Sequence, residues 1–152
     1  DIGLTGIEVY DILRDEYGIQ VEFGDLGNIL AVISTGDRPM EIERLVSALY
    51  EIKRLYSKDP VGMFDLNYIN PEVVYTPQKA FYCDKKLVPI KDSRGEISGE
   101  FVMAYPPGIP ILAPGERITD EIIDYIIYAK EKGCLLMGTQ DIDVENINVV
   151  EG

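Results

Sequence analysis

The spacing of apolar residues changes period three times within the first 57 residues. Val9, Ile12 and Leu13 share one helical face, and Thr5 followed by Glu8 forms a capping-box pattern ahead of them. Gly18 supplies a stop. Ile19, Val21 and Phe23 then alternate with Gln20 and Glu22, the period of a strand. Gly24 to Asn28 reads as a turn. The nearly continuous apolar run ILAVIS (29–34) predicts a strand covered on both faces. Gly36-Asp37 opens the next helix, with Asp37 as N-cap and Pro39 in the first turn. Ile42, Leu45, Val46, Leu49 and Ile52 form its buried stripe, and the helix is predicted to run to about Tyr56. The order helix-strand-strand-helix makes residues 1–57 an α/β unit, which still needs something to pack on.

Residues 58–71 read as a linker, part of a stretch (SKDPVGMFDLNYINP) with a proline near each end and no clean period. Residues 72–152 follow a different pattern, that of an α+β domain, which makes the whole chain α+β. Thr76-Pro77 starts a short helix, TPQKAFY. KLVPI (86–90) is a short apolar segment, and Asp92 to Gly95 is a turn. EISGEFVMAY (96–105) alternates, with Ile97, Gly99, Phe101 and Met103 on one side and Ser98, Glu100, Val102 and Ala104 on the other. Thr119 caps a helix with Asp120 and Glu121 at its positive dipole end. Ile118 and Ile123 occupy the two positions of a hydrophobic staple. Ile122, Ile123, Ile126, Ile127 and Ala129 make that helix's buried face, and Gly133 ends it. CLLMG and INVV predict two further short strands.

Composition narrows the function. The chain has 152 residues, 46% of them apolar, enough to bury a core. Its formal charge of −13 disfavours nucleic acid as a partner, because phosphate binding needs a basic surface. No apolar run approaches the ~20 residues of a membrane span. There is no histidine, which excludes Ser-His-Asp and Cys-His catalysis and His-containing zinc sites. No metal site is expected. Cys83 and Cys134 stand far apart, as buried thiols do in a reducing, cytoplasmic setting; a single disulfide between them is the other reading. The chain opens at Asp1, without Met and close to a helix start, which points to a piece of a longer polypeptide.

AYPPGIPILAPGERIT (104–119) is the most constrained stretch. Each proline fixes its own φ and restricts the residue before it, so Tyr105, Pro106 and Ile109 are pushed towards extended backbone. Gly108 is the one position free to turn or to admit a close approach. The stretch reads either as a connector from strand to helix or as the rigid wall of a ligand or subunit contact, presenting Tyr105 and Glu100 in fixed positions.

FVMAYPPGIPILAPGERIT resembles the carboxy-terminal signature of the bacterial ornithine/lysine/arginine decarboxylases. The resemblance extends through YTPQKAFY, KLVPI, GEISGEF and EIIDYIIYAKEKG, and back into TGIEVYDILRDEYGIQVEFGDLGNILAVISTGD. It implies the small domain and C-terminal domain of a pyridoxal-phosphate (PLP) enzyme of the aspartate-aminotransferase fold type. The Schiff-base lysine of that family lies in a Ser-x-His-Lys type motif of a large domain, and this chain has no such motif. The resemblance therefore implies a fragment that is not catalytic by itself and is not expected to bind PLP. Its parent would decarboxylate a basic amino acid, arginine before lysine or ornithine, as in polyamine biosynthesis, and would form a homodimer or higher homo-oligomer. Glu100, Tyr105, Pro106, Pro107 and Gly108 are the substrate-pocket candidates. Glu100 could meet the distal guanidinium or ammonium of the substrate, or be a structurally paired strand residue. Glu116 reads as structural, bonding backbone near the helix start. Arg38 suggests a carboxylate clamp, but its place in a first helical turn argues against that role. The alternative is a stand-alone, non-enzymatic regulatory or binding module derived from such an enzyme.

Overall fold

A computed structural model describes residues 2–59, 69–105 and 107–151. The chain divides into two compact units, Asp1–Met63 and Phe64–Gly152. Lys58, placed by sequence in the linker, belongs to the first unit: its N–H donates to Ile2 at 2.9 Å and its ammonium meets Glu8 at 2.8 Å. Residues 60–68, most of the predicted linker, lie outside the described residues.

In the first unit, α1 (Gly6–Asp15) closes the predicted capping box. The Thr5 hydroxyl accepts from the Glu8 N–H at 3.1 Å, and the Glu8 carboxylate accepts from the Thr5 N–H at 2.8 Å. β1 (Phe23–Gly24) pairs with β2 (Ile29–Leu30) in a two-residue antiparallel ladder. Both strands are shorter than the alternation predicts. The run 29–34 is also not doubly covered, since Val32 and Ile33 are 68% and 60% exposed. It has the composition of an inner strand, but this unit supplies no layers to enclose it.

α2 (Pro39–Tyr56) starts one residue later than predicted, with Arg38 and not Asp37 as N-cap. The Asp37 carboxylate turns back to accept from the Ser34 N–H at 2.6 Å, while Glu41 accepts from the Arg38 N–H at 2.8 Å. The inward stripe is also rotated from the predicted one. Ala48 and Ile52 are buried with Leu45, Leu49 and Tyr56 packed beside them, whereas Val46, about 100° round from Leu45, is exposed. This stripe packs on Leu4, Val9, Leu13 and Val21 to form the core of the unit.

In the second unit, α3 (Pro77–Tyr82) begins under Thr76, whose hydroxyl accepts from the Lys79 N–H at 3.3 Å. β3 (Lys85–Pro89) leads into a 3-10 turn over Ile90–Asp92. The predicted strand 96–105 is realised in two parts. Ile97 and Ser98 make single bridges to Arg117 and Val149, and regular pairing resumes in β4 (Val102–Tyr105). The proline stretch is a hairpin rather than an irregular connector, because the chain returns along β4 as β5 (Ile109–Leu112). Pro110 is tolerated there because β5 is an edge strand, where a missing N–H breaks no inner ladder. α4 (Asp120–Glu131) follows, then β6 (Leu135–Met137) on the other side of β4, giving the antiparallel order β5-β4-β6. β7 (Asn146–Val150) closes a five-pair antiparallel ladder with β3. Ile118, Ile122, Ile123, Ile126 and Ala129 are all buried, and α4 packs against β5 and β6.

Gly115 joins the hairpin to the segment before α3. Its carbonyl accepts from the Val74 and Tyr75 N–H groups at 2.9 and 3.0 Å, and its N–H donates to Ser98 at 2.8 Å. Its φ is +91°, and a Cβ there would lie 2.2 Å from the Tyr75 carbonyl oxygen. Gly115→Ala meets both backbone strain and a backbone clash, so it is expected to lower stability by at least ~1–3 kcal/mol. The shift of the urea midpoint at unchanged slope measures this.

Candidate functional site

Register decides which side chains the β5-β4-β6 sheet shows to each side. Directly opposed residues share a face. Val102 opposes Leu112 and Ala104 opposes Leu136, and this face turns inward, with Val102, Leu112 and Leu136 buried. Met103 opposes Met137 and Pro110, and Tyr105 opposes Leu135. That outward face is apolar and open, with Tyr105, Leu135 and Met137 51%, 57% and 46% exposed.

The hairpin tip closes where Ala104 opposes Ile109, with the Gly108 N–H donating to the Ala104 carbonyl at 2.8 Å. Gly108 has φ +90°, as the sequence requires of it, and a Cβ on it would lie 3.6 Å from the Tyr105 ring. Tyr105 and Gly108 are therefore neighbours, and the exposed Pro107 lies between them in the turn. Pro106 lies outside the described residues. The structure thus brings Tyr105, Pro107 and Gly108 together at one end of the apolar face.

Glu100 sits at the opposite end of β4, half-buried, with both carboxylate oxygens engaged. Oε1 accepts from the Asn148 backbone N–H at 2.8 Å. Oε2 accepts from the Gln140 backbone N–H at 3.0 Å and the Asn148 side-chain amide at 3.1 Å. That amide also donates to Gln140 Oε1 at 2.9 Å. Sequence reasoning missed Gln140 and Asn148. The available signal was an amide at 148 inside the apolar run INVV, a polar group that needs partners once it is even partly buried.

A second polar knot lies beside the first. Asp141 Oδ2 accepts from the backbone and side-chain N–H groups of Asn146 at 2.9 and 3.0 Å, and Oδ1 accepts from the Asp143 N–H at 3.2 Å. Between them the buried Val144 is held at φ +49°, a region β-branched residues rarely enter. The Asn146 side-chain amide, then backbone N–H groups, hold the Asp141 carboxyl below its usual pKa.

The remaining candidates are structural. The Glu116 carboxylate accepts from the Ala113 N–H at 2.7 Å, the backbone role expected of it. Arg38 is spent on an exposed ion pair with Glu41 at 2.7 Å and offers no clamp. Cys83 and Cys134 are not joined in a disulfide; Cys134 is buried as expected, whereas Cys83 is only half-buried. None of the eight lysines is buried, and the chain has no histidine. The residues present therefore do not fit a Schiff-base cofactor site. No metal-binding cluster occurs among the described residues, and no helix among them is long and apolar enough to cross a membrane.

Both the sequence and the fold of this chain match known proteins. Residues 62–141 match the sequence model described as Orn/Lys/Arg decarboxylase, C-terminal domain, and the chain belongs to that family. Arginine decarboxylase of Bacillus subtilis (strain 168) is 40% identical over 99% of this chain and 31% of its own length. Arginine decarboxylase of Halalkalibacterium halodurans is 38% identical with the same coverage. Among solved structures, the Francisella novicida lysine decarboxylase LdcF has the same fold, with TM-score 0.69 and 23% identity over 97% of this chain and 28% of that one. The chain thus spans about a third of the length of the curated relatives it matches.

The Asp141 knot sets a pH dependence. A carboxyl whose folded-state pKa is depressed adds stability above its unfolded value, ~3.9, and that contribution is lost as pH falls through the folded value. Stability is therefore expected to drop below about pH 4. Asp141→Asn should be less stable than the parent at neutral pH and should lose less on acidification. Urea midpoints of both proteins across the acid range measure this.

Proposed function

We propose that the polypeptide carrying this chain is a pyridoxal-phosphate-dependent decarboxylase of basic amino acids, acting on arginine ahead of lysine and ornithine. One observation supports the order of substrates. Arginine decarboxylase of Bacillus subtilis is 40% identical across nearly the whole chain, whereas a lysine decarboxylase of Pseudomonas aeruginosa and an ornithine decarboxylase of Lactobacillus reach 28% and 24% over shorter shares of it.

A cofactor held by other residues of the polypeptide would supply the electron sink for loss of the carboxylate as carbon dioxide. This chain holds no group suited to it, so that site belongs to another part of the polypeptide, and the 152 residues alone are inactive. Their contribution is shape. Tyr105, Pro107 and Gly108 form a stiff rim whose conformation is largely fixed before substrate arrives. The apolar face of Met103, Leu135 and Met137 beside that rim calls for a cover, supplied by the rest of the enzyme or by a second subunit of a cytoplasmic homodimer.

Release of labelled carbon dioxide from arginine, lysine and ornithine by the full polypeptide tests this reading. Arginine is expected to react fastest. Tyr105→Ala is expected to lower kcat/KM by about ten- to a hundredfold through lost positioning, while stability changes by less than ~0.5 kcal/mol because the side chain is half exposed. A full polypeptide that releases carbon dioxide from none of the three would sink the reading and favour a non-enzymatic binding module.

A further inference from the structure

The geometry points to Glu100 as a positioning residue: its carboxylate pins the register of β4 against β6 and so decides which face of the sheet carries Tyr105. For its functional consequence this rests on the decarboxylase reading above; for its structural content it does not.

The argument starts from a weakness. β4 and β6 share a ladder of only three residue pairs, Met103 with Met137, Ala104 with Leu136 and Tyr105 with Leu135. A slip of one residue would move Met103 and Tyr105 to the buried face and Ala104 to the open one. The ladder with β5 is also only three pairs long, and its register shifts between Val102 and Met103. Continuing the β4–β6 register three residues outward from the Met103–Met137 pair brings Glu100 opposite Gln140. Backbone pairing has stopped there, but the contact has not: Glu100 Oε2 accepts from the Gln140 N–H at 3.0 Å. A side chain thus supplies the rung that the backbone no longer makes. The other oxygen fastens the same point to β7 through the Asn148 N–H at 2.8 Å, beside the backbone bond from the Gly99 N–H to the Asn148 carbonyl, also 2.8 Å.

The chemistry requires a carboxylate. Its three partners are all N–H donors, two from backbone and one from the Asn148 amide. A carboxylate offers acceptor sites on both oxygens, while a glutamine amide offers one oxygen and turns N–H groups towards donors. Glu100→Gln therefore breaks the pin with almost no change of size. On this account Glu100 acts on substrate through Tyr105 and does not meet the distal cation itself.

The test uses the full polypeptide. In Glu100→Gln, amide hydrogen exchange should accelerate at least tenfold at Gln140, Asn148 and the β4–β6 ladder, with residues 2–59 unchanged. Asn148→Ala, which removes one donor, should accelerate the same amides less. The exposed Glu145→Gln should leave them as they are. In turnover, both clasp variants should lower kcat for arginine, lysine and ornithine by a common factor, and the double variant should lose less than the product of the two. Unchanged exchange at Gln140 and Asn148 in Glu100→Gln would overturn the proposal. So would a change in KM and in the arginine-to-lysine ratio confined to Glu100→Gln, since that is the signature of direct contact with substrate. Should Glu100→Gln fail to fold, Asn148→Ala decides by the same readings. If the parent protein decarboxylates nothing, the functional reading fails, while hydrogen exchange still decides the register pin.

Discussion

Val102, Leu112 and Leu136 point to the same side of a three-stranded sheet, and α4 packs against that sheet with Ile122, Ile126 and Ala129 buried. Each of the valine, leucine and isoleucine side chains contributes roughly 1.5–3 kcal/mol when removed from water. Strand alternation then settles the opposite face for as long as the register holds. Once Val102 is inside, Met103 and Tyr105 are outside, and their partners Met137 and Leu135 go with them. The open apolar face is a by-product of how the buried one is satisfied, and the hairpin tip inherits its direction from β4.

Most helices were legible in the sequence because their signals are local. Thr5 with Glu8, Thr76 with Pro77, and Thr119 ahead of two acids each cap the helix expected of them. Asp37 misled because an aspartate can serve a turn as readily as a helix, and here the Ser34 N–H takes its carboxylate. Strands fared worse. The run 29–34 shows how an apolar composition states what a segment can tolerate but not whether covering layers are present. The hairpin was hidden by its prolines, which read as a loop until the edge position of β5 makes Pro110 acceptable. Of the candidate site, Tyr105, Pro107 and Gly108 were legible as a rigid cluster. Gln140 and Asn148 were not, because nothing in a sequence announces that positions forty and forty-eight residues beyond Glu100 will return to it.

Charged side chains serve two ends in both units. Ion pairs such as Arg14 with Asp11 and Arg94 with Asp120 lie on the surface, where pairs of this kind add ~0–1 kcal/mol. Carboxylates such as Asp37 in the first unit and Glu100, Glu116 and Asp141 in the second instead accept from backbone N–H groups of segments that regular ladders leave unpaired. Acidic side chains there substitute for secondary structure. Part of the chain's strong negative charge is thus an architectural material.

Pro110 has one more effect. A sheet grows by offering unpaired N–H and carbonyl groups to another strand, and β5 lacks a donor in the middle of its four residues. That border is closed to recruitment, which guards an otherwise greasy hairpin against stacking into fibrils. The opposite border, β6, relies on brevity alone, with three residues. Of this sheet's two borders, β6 is therefore the one at which a further strand can be added.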